Sequence, residues 1–248
     1  MTRFRILTYN IHKGFQHLRS SLVIDSIRAS LRQSQADILF LQEVIGEHRG
    51  HEAKLNGWPL VPQFEYLADS VWPHYAYGKN AVSSLSHHGN AILSKFPIQQ
   101  FENIDISTNK RERRGLLHAR IQVPQTNRSI DLINLHLNLL HSGRSLQIQQ
   151  VIDRVLKTTE SHQPLIIGGD FNDWPNKLSK RLEQSLGLCE AFLHSRGDCA
   201  KTFPSFFPFL KLDRIYFRNL EIQETYEFTG KPWSELSDHL AIAADFSL

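Results

Sequence analysis

The stretch SLQIQQVIDRVLKTTESHQPLIIGGDFND, residues 145–173, decides the fold class because it joins a helix to a buried strand. Apolar residues recur at helical spacing and predict a helix from Ser145 to about Glu160, its face formed by Leu146, Ile148, Val151, Ile152 and Val155. Pro164 ends this pattern, and the run LII that follows predicts a strand. The strand leads into the polar pair Asp170 and Asn172. A helix followed by such a strand is typical of an α/β protein.

The same alternation continues along the chain. Residues rich in Val, Ile, Leu and aromatics predict at least eight strands, in the runs FRILTYNI, ADILFLQEV, NAILSKFPI, LLHARIQV, SIDLINLHL, PLIIGGDF, LDRIYF and LAIAADF. Between the first two runs, Ser20 and Ser21 are candidate N-caps of a helix whose apolar face contains Leu22, Ile24, Ile27 and Leu31. No linker, repeat or low-complexity tract interrupts the pattern. We therefore expect one domain over residues 1–248, with strands in two layers and helices outside.

Composition narrows the class of protein without naming a function. Apolar residues make up 41% of the 248 residues and charged residues 21%, which is ordinary for a globular protein and gives no case for disorder or a coiled coil. A formal charge of +3 suits a phosphate-bearing partner without requiring one. Cys189 and Cys199 lack the spacing of a zinc site or a disulfide scaffold. Because there is no signal-peptide pattern and no transmembrane segment, we expect a cytoplasmic protein, and peripheral membrane contact stays open. We also expect a monomer.

Polar residues stand where several predicted strands end. One such residue is usually part of a turn or a satisfied buried group, so a single example would predict nothing. Six strand ends with this property favour a shared site, and the residues are Asn10, Glu43, His136, Asp170 with Asn172, Asp213, and Asp238 with His239.

The pieces TYN, LQEV, GNAILS, NLHL, GGDFND, LDRIYF and SDH occur in this order between Thr8 and His239. Together they resemble the motifs of the endonuclease/exonuclease/phosphatase family, and the chain is similar to a bacterial stand-alone branch of it. The resemblance implies a two-sheet β-sandwich flanked by helices, a four-layer α/β/β/α fold that is DNase I-like, with the site between the sheets at one end. It also implies a phosphoesterase that uses Mg²⁺ (or Mn²⁺).

The resemblance assigns metal binding to Glu43 at the end of LQE, with Asp238 facing the same ion and Asn10 beside it. Hard divalent cations take oxygen ligands, usually one or two carboxylates completed by water and substrate phosphate. The alternative for Glu43 is a surface carboxylate that follows a strand. The first strand has Asn10-Ile11-His12 where some DNA-repair members have Asn-x-Asp, so a carboxylate near the metal is missing. The number of bound ions, one or two, therefore stays open.

By the same resemblance Asp170 orients the attacking water and Asn172 contacts phosphate. Residues two apart on an extended segment point to the same side, so both are expected to face the substrate. His239 resembles a histidine whose tautomer is held by a carboxylate, here Asp213, and His136 is a second phosphate-facing histidine. These roles imply direct hydrolysis without a covalent intermediate. A GD pair after a strand can also be only a turn.

Arg114, in RERRGLL, is the candidate phosphate-binding arginine, and Arg113 is an alternative. The non-functional alternative is that this basic segment is only a solvated surface turn. The NLHL segment followed by Arg144 and Gln147 resembles branches that act on sphingomyelin, messenger-RNA tails, tyrosyl-DNA adducts or general DNA. We therefore expect a phosphodiester substrate, with nucleic acid slightly favoured, acted on as an endonuclease or an exonuclease. The alternatives are a phospholipid or small diester, a phosphomonoester, or a catalytically silent phosphate-binding module.

Two features receive no role from the sequence. His12, His87 and His88 match no function that can be named. The run TFPSFFPF, Thr202 to Phe209, is expected to pack in the core beneath a Pro-rich loop, in preference to forming an exposed aromatic loop for bases or lipid.

Overall fold

The computed structural model describes residues 2–17, 21–124 and 126–248. Over these residues the chain forms strands β1 (Arg3–Asn10), β2 (Ile38–His48), β3 (His74–Val82), β4 (Ser86–Ser94), β5 (Ile98–Asp105), β6 (Gly115–Gln122), β7 (Ser129–His136), β8 (Leu165–Asp170), β9 (Cys189–Glu190), β10 (Asp213–Arg218), β11 (Glu221–Glu227) and β12 (Ile242–Ser247). The helices are α1 (Ile24–Gln33), α2 (Arg49–Glu52), α3 (Gln63–Ala68), α4 (His141–Thr158), α5 (Ser179–Leu186), α6 (Ala191–Arg196) and α7 (Trp233–Leu236), and a short 3₁₀ turn covers His12–Gly14.

The strands form two mixed sheets of six strands each within the described residues. One sheet has the order β11-β12-β1-β2-β4-β3, and the other has the order β5-β6-β7-β8-β10-β9. Each sheet contains one parallel pair, β1 with β2 and β7 with β8, joined through helices α1 and α4 respectively. The carboxyl ends of parallel neighbours lie at the same edge of a sheet, which is where α/β proteins bind ligands.

Three apolar layers hold this arrangement together. The side chains between the two sheets include Phe4, Phe40, Leu132 and Ile166. The outer face of the first sheet packs against α1 and α7, and that of the second sheet packs against α4 and α5. Because the central strands are covered on both faces, they read as continuous apolar runs. The four-layer α/β/β/α expectation is confirmed.

All eight expected strands are present, and four further strands, β3, β5, β9 and β11, were not expected. Helix α4 begins at His141, four residues before the expected Ser145. Helix α1 begins at Ile24 after Val23, so Ser21 is not its N-cap, and Ser20 lies outside the described residues. In the part of the chain described, no helix combines the length and the apolar character needed to cross a membrane.

The expectation that TFPSFFPF packs in the core is wrong. Phe206, Phe207 and Phe209 are 64%, 71% and 56% exposed. The reason lies in the base of the loop, where Phe203 and Leu210 pair and the Ser205 N–H donates to the Asp238 carbonyl at 2.7 Å. These backbone bonds fix the two ends of the loop and leave its tip outside the core.

Candidate active site

Strand register brings the predicted catalytic residues together at one end of the sandwich. His136 and Asp170 are the last residues of β7 and β8, and they are direct neighbours in the parallel ladder. Asp213 is the first residue of β10 and pairs with Asp170 from the other side. Asp170 therefore lies between His136 and Asp213 because of backbone pairing alone.

Asp170 is the centre of a buried polar cluster. Its Oδ2 accepts a hydrogen bond from Asn10 Nδ2 at 3.2 Å and lies 3.4 Å from His136 Nε2 and 3.6 Å from His239 Nε2. His239 Nδ1 is bonded to Asp213 Oδ2 at 2.8 Å. All five of these residues are buried. The cluster thus joins residues from both sheets.

The charges in this cluster shift one another's ionisation. Burial raises the pKa of Asp170 to about 7, although the charge of His239 opposes the rise. Burial would lower the pKa of His239, but Asp213 and Asp170 outweigh it and raise that pKa to about 10. Burial, together with the charges of Arg114 and His239, holds the pKa of His136 well below 6.5. Near neutral pH, His239 is charged, His136 is neutral, and Asp170 can exchange a proton.

Asn172 lies in this cluster, but not for the reason expected. Its φ of +50° is left-handed, so the segment turns after Asp170 and is not extended. The Asn172 N–H donates to Asp170 Oδ1 at 3.0 Å, and the side-chain Nδ2 donates to the Leu137 carbonyl at 2.9 Å. The Asn172 backbone N–H is therefore held beside Asp170 by an Asx-type turn, and the side-chain amide is held by Leu137.

The glycine before Asp170 explains the GGD sequence. Gly169 has a φ of +140°, and a Cβ there would clash with the Leu135 carbonyl oxygen in the neighbouring strand. Only glycine allows β8 to approach β7 this closely at the point where His136 and Asp170 meet.

The expected metal-side residues lie at the same end of the molecule. Glu43 does not end its strand as the sequence suggested. It lies inside β2 at a bulge between Leu41 and Val44, with a left-handed φ of +56°. Such strain in a residue with a side chain is typical of functional sites. Its Oε2 is 3.8 Å from Lys13 Nζ.

Asp238 lies beside Asn10, since Ser237 Oγ donates to the Asn10 carbonyl at 2.7 Å. His12 Nδ1 is 3.0 Å from Asp238 Oδ1. Burial opposes ionisation of Asp238, but the bond from His12 and nearby histidine charges lower its pKa to about 2. Asn10 Oδ1 accepts from the His12 N–H at 3.1 Å, so the Asn10 amide is bonded on both sides.

The donor set on this side suits a hard cation. Glu43 and Asp238 are partly exposed carboxylates, and Asp238 stays ionised at every physiological pH. Asp170, Asp213 and His239 also lie close enough together to surround an ion. That deeper group fits less well, because a protonated His239 has no lone pair to offer.

Arg114 and Arg113 differ in position. The Arg114 side chain is 16% exposed, and its Nη1 lies 3.5 Å from His136 Nδ1, whereas Arg113 is 47% exposed and lies 3.8 Å from Asp105. Arg114 therefore belongs to the cluster and Arg113 does not. Contact with the Arg114 donor favours the His136 tautomer whose proton is on Nε2, facing Asp170.

Sequence reasoning gave no role to several residues that the structure brings to this end of the sandwich. Lys13 faces Glu43, and His12 contacts Asp238. Burial lowers the pKa of His88, which also feels the charges of Lys13 and Glu43. Their signal in the sequence was the pair of polar tripeptides HKG and HHG, each next to a family motif.

Comparisons with known proteins identify the family of the chain. The model of the Endonuclease/Exonuclease/phosphatase family matches residues 7–239. "Uncharacterized protein YbhP" of Escherichia coli (strain K12) is 39% identical over 245 residues, covering 99% of this chain and 96% of that protein.

Two solved structures illustrate the shared fold. The endonuclease/exonuclease/phosphatase from Beutenbergia cavernae has a TM-score of 0.83 at 18% identity, covering 99% of this chain and 72% of that one. D. rerio TDP2, complexed with a single strand DNA product, has a TM-score of 0.74 at 18% identity, covering all of both chains. With the family model spanning most of its length, the chain belongs to the endonuclease/exonuclease/phosphatase family.

Proposed function

We propose that the protein is a Mg²⁺-dependent phosphodiester hydrolase in which Asp170 orients and deprotonates the attacking water. The observation that carries the proposal is the position of Asp170 Oδ2 in a buried cluster, where it is contacted by Asn10, His136 and His239. Asp213 holds the other ring nitrogen of His239. A carboxylate with a pKa of about 7 can accept a proton near neutral pH.

The surrounding residues divide the remaining work. His239, held by Asp213 and protonated, has an Nε2–H to offer to a phosphate oxygen, and Arg114 adds a guanidinium that suits phosphate. Asp170 is positioned by Asn10, Asn172 and neutral His136, and in this proposal the same three residues face the phosphate. These roles support direct attack by water without a covalent intermediate.

Glu43 and Asp238 would hold the cation, with Asn10 beside them. A hard divalent ion bound there supplies Lewis-acid polarisation of a phosphoryl oxygen. Mn²⁺ has the same preference for oxygen ligands and is expected to substitute. We further propose that the protein is a monomer and that it is cytoplasmic. The cytoplasmic location is supported by Cys189 and Cys199, which are both free thiols, as expected in a reducing compartment.

Nucleic acid is the proposed substrate. The support is the positive charge of the chain and its fold similarity to a protein solved with a DNA product. A panel of single- and double-stranded DNA, RNA, phospholipid diesters and phosphomonoesters, each with Mg²⁺, Mn²⁺ or chelator, tests it. Asp170→Asn is the inactive comparison, and Asp25→Asn, on an exposed part of α1, is the matched control. Binding without turnover on any substrate would favour a silent phosphate-binding module.

A phospholipid diester is the second candidate, favoured by the exposed Phe206, Phe207 and Phe209. Their loop is connected to the site, because Ser205 N–H donates to the Asp238 carbonyl and the rings of Phe203 and His239 lie 5.1 Å apart. Apolar side chains grouped beside a pocket are typical of interaction surfaces and of membrane-binding loops.

Vesicle flotation with anionic lipid separates the two candidates. A lipid enzyme should lose vesicle binding and lipid turnover when Phe206 and Phe207 are both replaced by serine. Its turnover of a short soluble diester should stay unchanged, since neither ring contacts Asp170. Absence of vesicle binding by the wild-type protein would remove this candidate.

A further inference from the structure

Two histidines and Asp238 converge at the mouth of the site. His12 Nδ1 is 3.0 Å from Asp238 Oδ1, and His17 Nδ1 is 3.7 Å from Asp238 Oδ2. Each of the three residues offers one ligand atom, and these three atoms all lie within 4.8 Å of one another. A tetrahedral ion with bonds of about 2.0–2.1 Å places its donors roughly 3.3 Å apart. The two histidine-to-carboxylate distances are thus close to the donor spacing of a metal site.

The local backbone holds His12 in this position. The backbone φ of His12 is +46° and that of Lys13 is +59°, left-handed values that residues other than glycine rarely adopt. The His12 N–H is bonded to Asn10 Oδ1, and Ser237 Oγ lies 3.2 Å from Asp238 Oδ1. Residues in strained conformations that are fixed by their surroundings are concentrated at ligand sites, and hydrogen bonds behind the donors orient them.

The donor types indicate which ion would bind. Imidazole nitrogen suits Zn²⁺, Co²⁺ and neighbouring transition ions, whereas Mg²⁺ takes oxygen ligands almost alone. We propose that His12, His17 and Asp238 form a binding site for a transition cation such as Zn²⁺ or Co²⁺, in preference to Mg²⁺. The site shares Asp238 with the proposed Mg²⁺ position but does not include Glu43. His12 lies in the 3₁₀ turn that follows β1, at the position where a carboxylate was missing from the sequence.

Metal binding, measured apart from turnover, tests the site. Chelator-stripped protein is titrated with Co²⁺ while visible absorption is followed, and with Zn²⁺ and Mg²⁺ by calorimetry. We expect one Co²⁺ or Zn²⁺ per chain, bound at least about 100-fold more tightly than Mg²⁺. His12→Ala and His17→Ala should each weaken Zn²⁺ binding by about tenfold or more. His162→Ala, with its ring exposed elsewhere, is the matched control and should bind as wild type does.

His17 is partly exposed, so His17→Ala keeps the test valid if His12→Ala does not fold. Unchanged Zn²⁺ affinity in folded His17→Ala overturns the proposal, as does Zn²⁺ binding no tighter than Mg²⁺ binding. Glu43→Gln separates this site from the proposed catalysis, because it should impair Mg²⁺-dependent turnover and leave the Co²⁺ spectrum unchanged. Loss of the spectrum in Glu43→Gln would assign the ion to Glu43 and overturn the histidine site.

Discussion

Asp213 Oδ2 lies 2.8 Å from His239 Nδ1, although the two residues are 26 positions apart. The contact fixes which ring nitrogen faces Asp213 and leaves Nε2 directed to Asp170, 3.6 Å away. His239 is therefore oriented by one carboxylate and charged by two. Removing either member of the pair should affect the same property of the site.

This relationship predicts non-additive losses. His239→Ala should lower turnover by several powers of ten, and Asp213→Asn by less, because the ring remains but its orientation and charge are weakened. The double variant should be scarcely worse than His239→Ala, as expected for residues that act as one unit. Steady-state kinetics on the best substrate of the panel measures all three. Losses that multiply independently would contradict the pairing.

Asp170→Asn should lower turnover by about 10²–10⁴-fold, the range typical of losing a general base. The substitution is nearly isosteric, so circular dichroism and thermal melting should report an intact fold. Asp25→Asn should retain full activity. Unchanged turnover in Asp170→Asn would mean that this residue serves only the turn.

Turnover should depend on pH with two limbs. Asp170 acts as a carboxylate, so activity should rise as pH increases through about 7, and His239 acts as an imidazolium, so activity should fall as pH passes about 10. In Asp213→Asn the alkaline limb should move to lower pH, because Asp213 is the strongest influence that raises the pKa of His239. Profiles of turnover from about pH 5 to about pH 11 measure both limbs. An alkaline limb that does not move would exclude His239 as its source.

Chelator should abolish activity reversibly, because Glu43 and Asp238 supply too few protein ligands to retain Mg²⁺ permanently. Glu43→Gln should raise the Mg²⁺ concentration for half-maximal activity by about tenfold or more. Glu47→Gln, on the same strand but paired with Arg49, is the control and should behave as wild type does. Full turnover in excess EDTA, with no metal retained, would contradict metal dependence.

A buried ion cluster away from the site gives a stability prediction. Asp131 is bonded to His118 Nε2 at 3.0 Å and to Arg120 Nη2 at 2.9 Å. Burial opposes ionisation of Asp131, but these two bonds outweigh it and lower its pKa below 3.8. Asp131→Ala should cost about 3 kcal/mol of unfolding free energy at neutral pH.

Because the folded pKa of Asp131 is depressed, its stabilisation is present above about pH 3.8 and is lost as pH falls further. The difference between wild type and Asp131→Ala in urea denaturation should therefore shrink at low pH. Asp153→Ala, exposed on α4, should change stability by no more than about 0.5 kcal/mol. A difference in unfolding free energy between wild type and Asp131→Ala that is the same at neutral and at low pH would contradict the assignment of this stabilisation to the ionised Asp131 carboxylate.

The strands that sequence reasoning found and missed differ in their position in the sheet. Central strands are covered on both faces, so their apolar runs are easy to recognise. The four missed strands, β3, β5, β9 and β11, are the four edges of the two sheets. Edge strands carry polar and charged residues that prevent further pairing, as in IQQFENID and EIQETYE, and β9 has only two residues.

The site shows a similar division. Residues on regular strands, such as His136 and Asp170, could be located from the sequence because the ends of neighbouring strands meet at the same end of the sandwich. The turn at Asn172 and the bulge at Glu43 could not, since both depend on left-handed backbone angles that the neighbouring chain imposes. Lys13 and His12 were missed for the same reason.

Strand β1 is held between β2 and β12, and Arg3 pairs with Ser247. During synthesis β1 can pair with β12 only after Asp238 and His239, which precede β12 in the chain, have left the ribosome. A nascent chain that ends before Asp238 lacks the His239 imidazole beside Asp170, and the side of β1 that pairs with β12 is unpaired. The buried cluster around Asp170 is therefore incomplete until residues 238–247 have been synthesised.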